Sequence, residues 1–364
     1  MNEAVKNAKP VPPIPRPDKP AHVVRADFEA IDIAQRLAAN FAERAAIRDA
    51  TREWPVRELD LYSQSGLWSL NVPRRFDGPE LSYATIARVT EIISAADSSI
   101  GQIAQNHIGV VAAIRTVSDE AQQALLFGEV LRGARFGNAF SEFGSKRAAE
   151  FETKFEDRGD HVVVTGKKFY ATGALLAHLT PIVAVDDRGR AWYAIADRGA
   201  EGLSVIDDWS SFGQRTTLSG TVLLDHVRVP KSHLVPGFKG YDKPTADGAI
   251  FQIIQVAVDS AAQALTEKAG KAIDAAVAGP TAENVAYAQI VTAEAKVLPT
   301  EVAIEATNKL FELAGTRSTL AEHHLDRHWR NARTHTLHDP VRWKYAILGD
   351  YFLNGKNPPL HAWS

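Results

Sequence analysis

The order of local patterns predicts an α+β fold: an N-terminal helical domain, a middle antiparallel β-domain and a C-terminal helical bundle. Two observations carry this. Apolar residues recur at three- to four-residue spacing up to about residue 131, and the helical pattern returns from Ala249. Between them lie short β-branched runs punctuated by Gly, Asp and Pro. The strands are therefore an inserted middle layer and not βαβ units.

The domain limits expected are an extended or disordered arm over 1–22, helical domains over 23–135 and 247–364, and the β-domain over 136–246. The arm holds six prolines in its first twenty residues and little apolar content. In the first helix Phe28, Ile31, Ala34, Leu37 and Phe41 share a stripe, and Leu59, Tyr62 and Leu67 continue it. Pro73 and Gly78-Pro79 mark a loop. Helices are expected over Tyr83–Ala95, Ser98–Val117 and Glu120–Leu131. The strand candidates are Val162–Val164, Ile182–Val185, Trp192–Ile195, Leu203–Val205 and Thr221–Leu224. Pro299 interrupts a later helical pattern, where it costs about 3 kcal/mol unless the helix bends.

Composition excludes several chemistries. There is no cysteine among the 364 residues, which removes disulfides, zinc–thiolate sites and cysteine nucleophiles and fits a reducing compartment. The formal net charge of −3 gives no reason to expect nucleic acid or membrane as a partner. The N-terminus lacks an apolar signal core and no run approaches a membrane span, so a cytoplasmic protein is expected. There is no GxGxxG or P-loop, and no internal repeat.

The densest chemistry lies near the C-terminus. Five of the twelve histidines fall between His323 and His338. Arg327, Arg330 and Arg333 recur every three residues, and His335, His338 and Asp339 follow at i, i+3 and i+4. Pro340 disfavours helix at Asp339, so a helix is expected to end there. A metal site is not expected, because zincin-type spacing places two histidines at i, i+4 around a glutamate.

Several motifs are similar to those of the acyl-CoA dehydrogenase superfamily over residues 22–364. They are SLNVPRRFDGPELSY (Ser69–Tyr83), GNAFSE (Gly137–Glu142), KKFYATGA (Lys167–Ala174), the Phe212–Pro230 segment and FELAGTRS (Phe311–Ser318). The run His328–Pro340 resembles a characteristic segment of the reduced-flavin monooxygenases within that superfamily, the sulfur-acquisition group most closely. Ile304–Thr316 and Leu353–Pro359 resemble them too.

That resemblance implies FMN, delivered as FMNH2 by a separate NAD(P)H-dependent reductase. It further implies that O2 forms a C4a-hydroperoxyflavin, which gives one oxygen atom to a small organosulfur compound. A homotetramer is implied, with the bundle helping to complete the flavin site. His338 then sits near the flavin C4a as the group that manages the peroxide, with His335 as its partner; the plainer reading of either is a satisfied buried imidazole. Asn138 takes a flavin- or peroxide-contacting place, against a strand-edge amide. Ser141 and Thr172 take flavin-bonding places, against backbone satisfaction. Tyr170 and Trp209 wall the flavin, against core packing. Arg330 and Arg333 suit a phosphate clamp, and equally suit salt bridges across the bundle. Gln102, Asn106 and His107 take the substrate wall. Gln102 and Asn106 replace the histidine and tyrosine of dibenzothiophene monooxygenase there, which implies a smaller and more polar substrate.

Two departures leave competitors open. Asp339 stands roughly where many dehydrogenases carry their base, which keeps an FAD-dependent acyl-CoA dehydrogenase in view. After FQIIQVAVD (Phe251–Asp259) a few dozen residues of the family pattern, including a phosphate-contacting arginine, are missing. That leaves a flavin-free structural homologue as a further reading.

Overall fold

The computed structural model describes residues 10–142, 151–241, 243–259, 263–339 and 341–359. The N-terminal part folds as α1 (Asp27–Thr51), α2 (Val56–Gln64), α3 (Tyr83–Ala96), α4 (Ser98–Val117) and α5 (Glu120–Leu131). Their starts are written in the sequence. The Ser82 side chain accepts from Thr85 N–H, Asp97 from Ser99 and Ile100, and Asp119 forms a capping box with Gln122. The α1 stripe is rotated from expectation. Ala30, Ile33, Ala34, Ala38 and Phe41 are buried, while Phe28 is 79% exposed. Buried Arg48 ties α1 to the rest by bonding Asp97, Glu58 and the Phe41 carbonyl.

α4 is buried on nearly every side, as a helix lacking a polar face requires. It runs beside α3, α5 and α6 (Asp247–Asp259).

The middle part is a seven-stranded sheet: β1 (Lys154–Asp157), β2 (His161–Ala171), β3 (Leu179–Val185), β4 (Ala191–Asp197), β5 (Leu203–Ile206), β6 (Gly220–Pro230) and β7 (Leu234–Val235). Spatial order is β5-β6-β2-β1-β3-β4-β7. Five pairings are antiparallel, but β1 meets β3 in parallel at Lys154–Val185, so the sheet is mixed and not wholly antiparallel as expected. The parallel contact arises because β1 and β3 each enter the sheet from a hairpin and meet at their ends.

Residues 10–22 take the extended form of the two left open. Val11 N–H donates to Val205 O at 2.9 Å, His178 Nε2 donates to Pro15 O at 3.0 Å, and Ala21 N–H donates to Leu131 O at 3.0 Å. The arm thereby staples the sheet to α5.

The C-terminal part is α6, α7 (Gln263–Ala278), α8 (Ala282–Ala314), α9 (Asp326–His335) and α10 (Arg342–Asn354). Helix α8 runs straight through Pro299. Its buried positions end at Thr300, so the proline falls where the helix leaves the core. Residues 260–262, where the family pattern breaks, lie outside the described residues, as does Pro340. No described helix is long and apolar enough to cross a membrane.

Candidate active site

Helix α9 stops at His335, capped by Thr336, four residues earlier than the sequence suggested. His338 and Asp339 therefore lie on a turn, with His338 N–H donating to His335 O at 3.0 Å. The two imidazoles lie parallel, 6.4 Å apart with 1° between planes.

One residue of α6 grips both. Gln255 O accepts from His335 Nε2 at 3.0 Å, and Gln255 Nε2 donates to His338 Nδ1 at 2.9 Å. These bonds fix the neutral tautomers: both rings carry their proton on Nε2. His335 Nδ1 accepts from Gln214 Nε2 at 3.3 Å, which agrees.

Gln214 carries the network into the sheet. Its carbonyl accepts from Trp209 Nε1 at 2.9 Å and from Thr217 Oγ1 at 3.0 Å. Hydroxyls then run from Thr217 to Ser219 to Thr172 at 2.9 and 2.8 Å. Trp209 meets Tyr170 edge-on with ring centroids 6.1 Å apart. Gly213 permits this approach, because a Cβ there would stand 2.0 Å from Arg330 O.

Strain marks the same place. Tyr170, Gln214 and Leu218 all hold positive φ, at 53°, 44° and 53°. Non-glycine residues pay about 1 kcal/mol or more for this, and such strain gathers at functional sites. Tyr170 also leaves its ring 56% exposed.

Helix α4 forms the facing wall. Gly173, at φ +73°, closes on Ile103: a Cβ there would meet Ile103 Cγ2 at 2.9 Å. Next to Ile103, Gln102 is 2% exposed and neither side-chain polar atom has a protein partner. Asn106 Nδ2 and Gln105 Oε1 are equally unpartnered.

The remaining candidates divide. Asn138 is buried, and its Oδ1 accepts from Phe140 N–H at 2.9 Å. Ser141 is exposed, and its carbonyl accepts from Phe169 N–H at 3.0 Å. Arg333 is exposed on α9. Arg330 makes salt bridges across the bundle. It pairs with Asp49 and Asp326 and donates to Phe212 O at 2.6 Å.

His107, expected on the substrate wall, is packed in the core. It is fully buried, its Nδ1 accepts from Phe136 N–H at 3.0 Å, and its Nε2 donates to Trp68 O at 2.8 Å. Burial pushes this ring down to about 3, against the opposing pull of the Trp68 carbonyl. Asp339 is tied at 3.2 Å to Lys344 Nζ, whose side chain is 2% exposed.

The sequence reading missed Gln255, Gln214, Thr217, Ser219 and Lys344. Gln255 was the findable one, since it and Gln252 are the two buried amides of a largely apolar helix.

Comparison with known proteins agrees with this architecture. Models of the N-terminal and C-terminal domains of acyl-CoA dehydrogenase match residues 29–134 and 243–343. The probable FMNH2-dependent monooxygenase SfnC of Pseudomonas putida is 30% identical, over 90% of this chain and 96% of that one. The chain belongs to the acyl-CoA dehydrogenase superfamily, in its reduced-flavin monooxygenase branch. Dibenzothiophene monooxygenase of Rhodococcus erythropolis, of the same branch, is 27% identical over 92% of this chain and 95% of that one. Among solved structures, FMN-bound TdsC from Paenibacillus sp. A11-2 superposes with TM-score 0.86 at 25% identity, covering 92% of this chain and all of that one. Methanesulfinate monooxygenase MsuC from Pseudomonas fluorescens does so with TM-score 0.80 at 27%, covering 92% and 99%. The SfnC alignment spans 385 positions, more than the 364 residues of this chain, so the relative carries residues that this branch member lacks.

Proposed function

We propose that this protein is a two-component flavin-dependent monooxygenase that takes FMNH2 from a separate NAD(P)H-dependent reductase and transfers one atom of O2 to a small organosulfur compound. The observation that carries this reading is the series of hydrogen bonds from His338, through Gln255, His335, Gln214, Thr217 and Ser219, to Thr172 just past the end of β2.

The residues present fit an isoalloxazine. Tyr170 and Trp209 offer an aromatic wall, and Thr172 and Ser219 offer hydroxyls. Asn138, Ser141 and Thr172 are the ring-contacting set, and Arg333 is the cation left for the phosphate. When bound, reduced FMN supplies the two electrons that cleave the O–O bond. The protein's part is to hold His338, which is exposed on its turn, with its Nε2 proton directed by the Gln255 bond. His335 acts through Gln255, as the fixed base of that arrangement.

The dehydrogenase alternative needs Asp339 as an open base, whereas its carboxylate is committed to Lys344. Large apolar side chains exposed on α8 and α10, among them Leu313, Trp343, Phe352 and Leu353, support assembly with further copies, and we take the assembly to be a homotetramer. We place the enzyme in the cytoplasm, where its reductase finds nicotinamide.

The test is anaerobic titration with reduced and oxidised FMN and with FAD, followed by admission of O2 with an organosulfur panel. Tighter binding of FMNH2, and product carrying one labelled oxygen, are expected. Stoichiometric FAD binding with acyl-CoA oxidation would replace this reading.

A further inference from the structure

The register of α4 against α6 gathers a set of amides beside His338. Thr116 Oγ1 donates to Asp247 Oδ1 at 2.8 Å, at the C-terminal end of α4 and the first turn of α6. Further along, Gly109 lies against the Phe251 ring and Gln105 Nε2 donates to Phe251 O at 3.1 Å. At the far end, Ser98 and Ser99 share a cavity of about 270 Å³ with Val258 and His335. The helices therefore run antiparallel, and Gln102 falls level with Gln255.

At that level the polar atoms are left over. Gln102 Nε2 and Oε1, Gln105 Oε1, Asn106 Nδ2 and Gln255 Oε1 have no protein partner, and each of these residues is 2–7% exposed. Burying an unpaired amide costs about 1–3 kcal/mol, and simple core packing would have placed leucine there without that cost. Gln102 and Asn106 lie at i, i+4 on one face of α4, with two N–H groups each to give. No lysine or arginine is bonded to Gln102, Asn106 or Gln255 among the described residues.

We infer that Gln102, Asn106 and Gln255 form an amide pocket that selects a small neutral compound whose sulfur already carries oxygen, a sulfoxide or a sulfone. The S–O oxygens accept from the Gln102 and Asn106 amides. The amide carbonyls face the C–H groups next to sulfur, which an S–O bond acidifies into weak donors. A thioether has no oxygen to meet the N–H groups, so it strands them. A sulfinate or sulfonate brings a charge that no bonded cation balances, against three amide oxygens. Gln255 has the additional part of joining this pocket to His338.

This inference rests on the monooxygenase reading, so its test is made by binding and not by turnover. Tetrahydrothiophene, its sulfoxide, its sulfone and methanesulfinate are titrated by calorimetry into the full-length protein with FMN present, for wild type, Gln102→Leu and Asn106→Leu. The sulfoxide and sulfone should bind about tenfold or more tightly than tetrahydrothiophene, as two neutral hydrogen bonds allow. Each leucine variant should lose most of that preference while binding tetrahydrothiophene at least as well. Both should keep the wild-type melting temperature or exceed it, which shows that they fold. Equal affinity for all three cyclic compounds, tighter binding of methanesulfinate, or a preference that survives Gln102→Leu overturns the inference. Weakened FMN binding with an unchanged preference also overturns it, by assigning the amides to the cofactor. Selective sulfoxide binding without oxygen transfer to its sulfur would keep the pocket and sink the monooxygenase reading alone.

Discussion

Replacing Arg330 by methionine separates its two sequence-level roles. The substitution keeps most of the aliphatic stem and removes the guanidinium that bonds Asp49, Asp326 and Phe212 O. Asp326 is 60% exposed and is rehydrated at little cost. Asp49 is 9% exposed and is left as a buried carboxylate without its cation. Breaking a buried pair from one side costs about 3 kcal/mol. For a chain of this size that is a fall in melting temperature of about 4 °C. FMN affinity should change by less than about threefold, because four of the five guanidinium N–H groups are taken by protein acceptors. Differential scanning fluorimetry and an anaerobic FMN titration measure the two quantities. An unchanged melting temperature with FMN binding weakened roughly tenfold or more, the size of one lost charge-assisted bond, would refute the assignment.

His338→Ala should abolish oxygen transfer with the fold intact, whereas Asp339→Asn should retain part of the activity, since that carboxylate pins the turn to Lys344; circular dichroism and product analysis distinguish the two, and the reverse order would restore the dehydrogenase base. His107→Phe should lower stability by about 2–4 kcal/mol, because it strands the Phe136 N–H and Trp68 carbonyl, measurable by urea unfolding. For Asp247, burial pushes the carboxyl up to about 7, against the Thr116 bond and the Lys243 charge. A raised folded value means that its stabilising contribution is complete below the ordinary carboxylate range and is lost as pH rises to about 7. Asp247→Asn should therefore gain in melting temperature relative to wild type between pH 5 and pH 7 and hold level above, and a constant difference across that range would count against the shift.

Where local chemistry writes a boundary, the sequence could be read. The caps Ser82, Asp97 and Asp119 sit just ahead of α3, α4 and α5, and those helices begin where expected. Strand β1 could not be read, because Lys154-Phe-Glu-Asp carries charge on a mostly exposed strand and shows no apolar alternation. Strand β7 is two residues long and is defined by its pairing with β4. In the site, motif position pointed to Tyr170, Trp209 and Thr172, which the structure joins through the Gln214 network. Arg330 could not be assigned from spacing, since its decisive partner Asp49 lies 281 positions away in the chain. His107 was expected on the wall from its place in the family motif, and its ring packs against Trp68 and Phe136.

The shortening of the chain bears on the two halves of the flavin site differently. The reactive half is built before the break in the family pattern and after it, but not from it. Asp247 and Phe251 lock α6 to α4, Gln255 sits within that locked stretch, and the histidines reach it from the turn after α9. The phosphate half depends on cations. Arg330 is paired with Asp49, and we propose the exposed Arg333 for the phosphate. On that proposal the chain keeps its histidine turn while holding its flavin loosely. That suits a cofactor arriving reduced from a separate reductase and leaving oxidised in each cycle, where tight retention would slow turnover.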